Sequence, residues 1–505
     1  MPASFVIGVD AGTEGLRAAI FDLQGAPVAF AATPYPTRFP QPSWAEQDPA
    51  DWWQALGASV REALATARLA AGDIAAIALD TTCCSVVALD AAGQPLRPAL
   101  IWMDVRAGRE AARVAASGDP ALAVNGAGQG PVSAEWMIPK ALWLQAHEPD
   151  VFAAAAHVCE FQDYLNFHLT GRMVASLNNA SVRWHYDNRG SGYAASLLGR
   201  LGAEALLDKW PREVVPMAAL FGELTPAAAE HLGLRTGLPV AQGGADAFVG
   251  VIGLGIVDPG GLSLITGSSH LQIGLSDRPF HGKGFFGTYP DAVLPGLHAV
   301  EGGQTSTGSI VAWFRKLLGA GASYDELNRA AATLPPGAEG LIVLDHFQGN
   351  RTPYTDPDSR GVISGLTLKH GPAHIFRAII EGVSFGTALI LETMRAAGFA
   401  PAEMTICGGP TRSDLWLQIH ADVANLPLAL TRVADAPCLG SAILAAVGAG
   451  FYPDIPTAAR AMVKVVRRIE PDAKRHAAYQ PFYEAYKETY AALAGTLHRQ
   501  VAASG

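Results

Sequence analysis

The chain opens on Phe5-Val6-Ile7-Gly8-Val9-Asp10, an apolar run in which Val6, Gly8 and Asp10 alternate with their neighbours as in a half-buried strand. A small polar turn containing Gly12 and Thr13 leads into a second apolar strand, and a Gly turn near Gly25 leads into a third. DPADWWQALGASVREALATARLAA follows, with an Asp cap, an early Pro and helical apolar spacing, and IAAIALDTTCCSVVALD returns to strand. Halfway along, GGLSLITGSSHLQIGLSD repeats the strand, polar Gly turn, strand layout just after GGADAFVGVIGLG. Two such units about 250 residues apart predict two related lobes, with a boundary near 248–256. Further helices are predicted over about 303–319, 371–397 and 413–424, with a helical tail from 475 onward.

Length fits this division. A chain of 505 residues is too long for one core and suits two domains of roughly 250 residues each. Half of it is apolar and only 16% charged, which excludes a disordered chain. The net charge of −10, with no run of Lys or Arg, argues against a nucleic-acid or anionic-membrane partner. Five cysteines occur without any CxxC pair, so zinc-ribbon and thioredoxin chemistry are excluded, and reduced thiols in a cytoplasmic protein are expected. MPASFVIGVDAG has no basic segment before its apolar residues, so no signal peptide is expected. The longest uncharged stretch, 437–451, is short and rich in Gly and Ala, which predicts a tightly packed helix rather than a membrane span. There is no GxxxxGK followed by Ser or Thr. Nor does a GxGxxG follow a strand with an acidic residue about 20 positions on. Any nucleotide must therefore be held by another cradle.

Asp10-Ala11-Gly12-Thr13-Glu14-Gly15 offers one. Phosphate oxygens need donors that approach without obstruction, which Gly12 and Gly15 permit; Thr13 adds a hydroxyl and Arg17 a nearby cation. Asp10 would repel phosphate directly, so its natural role is to hold Mg²⁺ through water. An ordinary Gly-rich hairpin reads the same way. Thr266-Gly267-Ser268-Ser269 repeats the logic, and two such hairpins facing each other would hold a triphosphate from both sides. In Gly243-Gly244-Ala245-Asp246-Ala247, the Asp ends an apolar strand among small residues, where either a general base or a helix cap would sit.

Gly361-Val362-Ile363-Ser364-Gly365-Leu366, seven residues, His374-Ile375, two residues, and Ala378-Ile379-Ile380-Glu381 carry the most specific pattern. On this stretch the chain resembles the FGGY family of carbohydrate kinases, which includes glycerol, xylulose, ribulose, gluconate and fucose kinases. The N-terminal DAGT, GGADA, TGSS, CGGPTRSDLWLQIHADV and PCLGSAILAA fall in family order, so the likeness covers residues 4–490. It implies an α/β fold of two actin-like ATPase (ribonuclease H-like) domains with the active site in the cleft between them. Residues 1–250 would bind sugar and 251–490 nucleotide, leaving 491–505 as a tail. It implies that Asp246 is the catalytic base and that Asp10 and Asp246 hold Mg²⁺ through water. Gly12, Thr13 and Arg17 would form the first phosphate loop of an ATP site and Thr266, Gly267 and Ser268 the second. Gly408 and Gly409 would pack against the adenosine, with Gly308 and Ser413 completing the nucleotide set. The family's N-terminal signature is only partly kept in 136–143, Glu14-Gly15 replaces a commoner Thr/Ser pair, and Pro410 stands where Gly or Ala is usual.

Thr82-Cys83-Cys84-Ser85 and Trp102-Met103-Asp104-Val105-Arg106 resemble the ribulokinase-like, pentulose branch. Cys84, Trp102, Asp104, Arg183 and Glu301 are then the sugar-contact candidates: an indole face for C–H bonds, carboxylates for hydroxyls, and Glu301 exposed in a Gly-rich turn. Trp102 reads equally as a core aromatic, and Arg183 and Glu301 as surface charges. The expected reaction is transfer of the γ-phosphoryl of MgATP to a terminal hydroxyl, O5 of a ketopentose, with ribulose ahead of xylulose, erythritol or glycerol. The expected partners are a small sugar or polyol and, as in many relatives, a second copy of the chain. Readings of other classes are an actin- or Hsp70-like ATPase acting on a protein partner, and a sugar-binding regulator without catalysis.

Overall fold

Two sheets built to one plan organise the chain; a computed structural model describes residues 4–280, 284–319 and 321–504. In the first sheet, Phe5–Ala11 pairs antiparallel with Gly15–Asp22, which pairs antiparallel with Pro27–Pro34. On its other side Phe5–Ala11 runs parallel to Ile74–Thr81, and Pro239–Ala241 and Leu220–Glu223 complete the sheet. The second sheet repeats this order. Leu262–Thr266 pairs antiparallel with His270–Ser276, that strand pairs antiparallel with His298–Gln304, and Leu262–Thr266 runs parallel to Met404–Gly408 and, beyond it, Leu428–Thr431. An antiparallel meander whose first strand continues into parallel strands, twice over, is the expected actin-like, ribonuclease H-like plan.

The central strands are buried on both faces, which is why they read as nearly continuous apolar runs: Val6, Ile7 and Val9 are all sealed from solvent, whereas the edge strand Pro27–Pro34 is exposed at alternate positions. One face of the first sheet is covered by helix Pro49–Ala67, started by Asp48, whose side chain accepts from Ala50 N, and by Pro49. The helix buries Trp52, Leu56, Val60 and Leu64. The other face is covered from far along the sequence, by helix Ala436–Gly448, which follows the second sheet's strand Leu428–Thr431. Gly8 makes that contact possible, because a Cβ there would stand 2.0 Å from the carbonyl oxygen of Cys438. The same helix packs along Asp246–Gly253, whose Gly253 could carry no Cβ either, since one would lie 1.9 Å from the Ala436 oxygen. Helix Asp246–Gly253 follows the first sheet in sequence and also touches the second sheet's hairpin, so this pair joins the two halves in one apolar core.

The uncharged stretch at 437–451 is thus the packed helix expected of it. Helix Pro372–Ala396 is apolar and long enough to cross a membrane, but 89% of its most apolar window is buried inside the protein. The helix expected from 303 starts at Gly308, because His298–Gln304 is still strand. IAAIALDTTCCSVVALD is not one strand. Ile74–Thr81 belongs to the first sheet, while Val86–Leu89 joins a separate four-stranded sheet. The turn between them, Thr82 to Ser85, includes a left-handed Cys84 (φ 65°). The C-terminal helix runs unbroken over Ala473–Ser504.

Candidate active site

Register in the first sheet sets Asp10 abreast of Arg17 on one side and Asp80 on the other. Arg17 forms an ion pair with Asp10 and a second, at 3.0 Å, with Asp435, the residue preceding helix Ala436–Gly448. Asp80 accepts from Ser441 Oγ at 2.7 Å. Burial pushes the Asp10 carboxyl up to about 6, against the pull of Arg17. The loop after Asp10 is pinned from behind. Gly12 N donates to Gly15 O at 3.1 Å, the Gly12 carbonyl accepts from Tyr35 Oη, and the Thr13 carbonyl accepts from Gln47 Nε2 at 2.7 Å. Its front is clear: a Cβ on Gly12 would meet nothing nearer than 3.6 Å.

The second hairpin is supported in the same manner. Thr266 Oγ1 donates to the Cys407 carbonyl, and Gly267 N donates to Ser269 O at 2.9 Å. The Ser268 carbonyl accepts from Thr307 N at 2.9 Å and Ser309 N at 3.2 Å, seating the start of helix Gly308–Leu318 beneath the turn. Gly308 is required there, because a Cβ would stand 2.3 Å from the Gly267 oxygen. Gly408 (φ 95°) closes against Thr266, and Gly409 has open space in front of it. Ser413 is turned to another use: its Oγ caps helix Asp414–Ala424 through Trp416 N and donates to Asn328 at 2.6 Å. The Cys407 thiol, at the end of a second-sheet strand, is pushed up to about 12 by burial and by the carboxylates of Asp435 and Asp10.

Asp246 opens helix Asp246–Gly253 and accepts from Ala247 N at 2.7 Å. Burial, with the Asp10 charge added, pushes its carboxyl up to about 7, while Arg17 and Arg183 pull the other way. It therefore lies within electrostatic reach of Asp10 and Arg17 and also of Arg183. Arg183 is buried and reaches both oxygens of Glu301 at 3.0 Å and Tyr289 Oη at 2.7 Å, among rings of Trp136, Phe248, Phe286 and Tyr289 at 5.3–5.8 Å. Trp102 donates from Nε1 to Thr13 Oγ1 at 2.8 Å and packs with Cys83 against Cys84, Trp136 and Phe286. One indole thus ties this wall to the first phosphate loop.

Two expectations are corrected. Glu301 is neither exposed nor in a turn: it lies in strand His298–Gln304, 1% exposed, with both oxygens paired to Arg183. Asp104 is fully buried and offers no free oxygen, since Arg106 and Ala45 N occupy both at 2.6–3.2 Å. Each carboxylate had found a guanidinium, as a buried charge must.

Comparison with known proteins places this geometry. Residues 5–253 match the N-terminal domain, and residues 262–449 the C-terminal domain, of the FGGY family of carbohydrate kinases. The chain belongs to this family. This FGGY kinase is 32% identical to a ribulokinase of Geobacillus thermodenitrificans over 97% of this chain and 94% of that one. It is 30% identical to a xylulose kinase of Escherichia coli over 96% and 99%. Among solved structures, the xylulose kinase from Rhodospirillum rubrum superposes with a TM-score of 0.86 at 32% identity, covering 98% of this chain and all of that one. The protein is therefore a sugar phosphotransferase.

In this FGGY kinase several site residues went unread in the sequence. Lys140, within the partly kept 136–143 signature, is fully buried; its Nζ donates to the carbonyls of Cys84 (2.7 Å), Ile101 (2.6 Å) and Leu100 (3.4 Å), and burial lowers its pKa. Glu160 accepts from Ser85 N and Trp184 Nε1, both at 3.0 Å, and burial pushes it up to about 7. Both fix the Thr82–Ser85 turn. A lone Lys in an apolar helix was the available signal for the first; nothing local marked the second. Asp435 and Asp80 also escaped notice, because only the fold brings them beside Asp10.

Proposed function

We propose that this kinase transfers the γ-phosphoryl of MgATP to the terminal O5 hydroxyl of a ketopentose, with ribulose ahead of xylulose. The observation that carries the reading is the position of Asp246: its carboxyl, raised to about 7, responds both to Asp10 and Arg17 and to Arg183. The ribulokinases and xylulose kinases that share about a third of its residues over nearly their whole length support a pentulose as acceptor.

Asp246, once ionised, accepts the proton of the attacking hydroxyl. The oxygen then bonds to the γ-phosphorus as the bond to ADP breaks on the far side. Thr13, the clear face of Gly12, and Ser268 provide donors for the phosphate oxygens, while Thr266 Oγ1 and Gly267 N are spent on Cys407 and Ser269 and hold the second turn in place. Arg17 exchanges its contacts with Asp10 and Asp435 for the transferring group. Gly409, with open space in front of it, leaves room for the nucleoside, while Gly408 seats the strand against Thr266. The metal expectation fits in modified form. Among the described residues, Asp10, Asp435 and Cys438 place ligand atoms within 4.8 Å of one another, and Asp246 is not in that group. Asp10 and Asp435 would hold Mg²⁺ through water, the Cys438 thiol being kept neutral by burial and too soft for a hard cation. The ion supplies charge neutralisation at the phosphates when bound. On the sugar side, Trp102, Cys84 and the Arg183–Glu301 pair form the wall, Arg183 and Glu301 shaping it as one paired unit.

A coupled ADP-release assay with MgATP across ribulose, xylulose, ribitol, erythritol, glycerol and gluconate tests this. A strong response to one ketopentose is expected. ADP release that ignores every sugar would overturn the reading in favour of an ATPase serving a protein partner.

A further inference from the structure

The sugar-side wall carries two adjacent thiols that the proposed chemistry does not use. Cys83 and Cys84 stand with their Sγ atoms 3.8 Å apart. Their backbone is fixed at both ends: Thr82 N donates to Ala11 O at 3.0 Å, the Cys84 carbonyl accepts from Lys140 Nζ, and Ser85 N donates to Glu160. Cys83 is half-buried, while Cys84 is buried and packs with Trp136 and Phe286. Burial pushes the Cys84 thiol up, with Arg183 pulling the other way only in part. The other three cysteines, Cys159, Cys407 and Cys438, are buried.

We propose that Cys83 and Cys84 form a vicinal dithiol modification site, bridged by trivalent arsenicals, and that the bridge closes the sugar side of the cleft to substrate. The spacing selects a one-atom bridge. Two bonds from sulfur to pyramidal trivalent arsenic, each about 2.3 Å and meeting somewhat below the tetrahedral angle, span about 3.5 Å, within a few tenths of an ångström of the separation present. A direct disulfide of about 2.05 Å would require the sulfurs to close by about 1.8 Å across a single planar peptide whose flanks are held. With phenylarsine oxide the step is a condensation. Two As–S bonds form, the As–O bond breaks, and the oxygen leaves as water with both thiol protons. Arsenic stays trivalent, so no oxidant is needed.

The blocking effect rests on the function proposed above; the site itself does not. The test titrates the full chain with phenylarsine oxide while following peptide mass, free thiols and sugar-dependent ADP release. One arsenic should appear on the peptide holding Cys83 and Cys84, and the five thiols should fall by two. Turnover should drop about tenfold or more, because the half-buried Cys83 would hold the phenyl group beside Trp102, in the wall proposed for the sugar, and displace the sugar from its reacting position. A small dithiol such as 2,3-dimercaptopropanol should restore it. Cys83→Ser should bind no arsenic and keep its own untreated rate. Arsenic on another cysteine, equal inactivation of Cys83→Ser, or undiminished turnover of a bridged enzyme would each overturn the proposal. An untreated chain that phosphorylates no ketopentose would instead sink the function reading, leaving the mass and thiol arms to decide the site.

Discussion

Asp246 does two opposed things with one carboxyl. Its pKa is 3.8 in an exposed chain and about 7 in the folded site, so the folded protein holds a proton there that the unfolded chain has released. The stability this proton lends is complete below about pH 4 and is lost as pH rises through 7. Catalysis needs the other form. The acid limb of kcat/KM for the sugar should therefore fall with an apparent pKa near 7. Asp246→Asn should lose about 10²–10⁴ in turnover yet melt higher than the parent at pH 8, with the gap narrowing by pH 5. A thermal scan at the two pH values beside an activity assay checks all of this; a variant with parental turnover would refute the base assignment. Glu301→Gln keeps the shape but halves the charge partnership of Arg183, so KM for the sugar should rise several-fold with kcat less affected. Asp10, Thr13 and Asp246 stand out in the sequence because Asp10 comes near the end of an apolar strand, Thr13 lies in the small-residue turn after it, and Asp246 follows strand Pro239–Ala241 among small residues. Asp104 and Glu301 were misread because burial depends on the partner guanidinium, and motif reading does not reveal that pairing.

Helices and strands here meet at distances that forbid a side chain. Gly253→Ala would force a Cβ to within 1.9 Å of the Ala436 oxygen, a backbone atom that cannot swing aside. Urea unfolding should show a loss of about 1–3 kcal/mol or more. Gly72→Ala, with nothing within 4 Å of its added methyl, should stay within about 0.5 kcal/mol of the parent. Equal effects at both positions would show that the helix pair does not govern stability. Element type was readable from hydrophobic period in the two hairpins and in helices Pro49–Ala67, Pro372–Ala396 and Asp414–Ala424, while the elements between 99 and 232 went unread. What also escaped was partnership: the strand that divides at Cys83–Cys84, and the helix at 436–448 that covers a sheet some 400 residues earlier.

At the scale of the molecule, the two halves are linked by charge as well as by apolar packing. Arg183–Glu301, Arg17–Asp435 and Arg189–Asp291 all join residues of the first half to residues beyond 262, and Asn178 Nδ2 donates to the Ala292 carbonyl at 2.6 Å. A sugar bound among these groups stabilises both halves at once. At a hundredfold excess over its dissociation constant, the true substrate should add about 2.7 kcal/mol, read as a rise in melting temperature that a non-substrate polyol does not give. The repeated three-two-one-four-five strand order could not be read from the sequence beyond its hairpins, because it is set by pairings between segments far apart.

The crossing of helix Ala436–Gly448 onto the first sheet also bears on how the protein is made. While the chain is being synthesised, that sheet emerges with one apolar face bare, and its cover does not exist until residue 448 has been added. At ordinary translation rates the wait is about 10–40 s. Throughout it, the nascent first half leaves that apolar face uncovered. A gene cut between 253 and 262 should yield fragments that precipitate separately and regain activity when co-expressed.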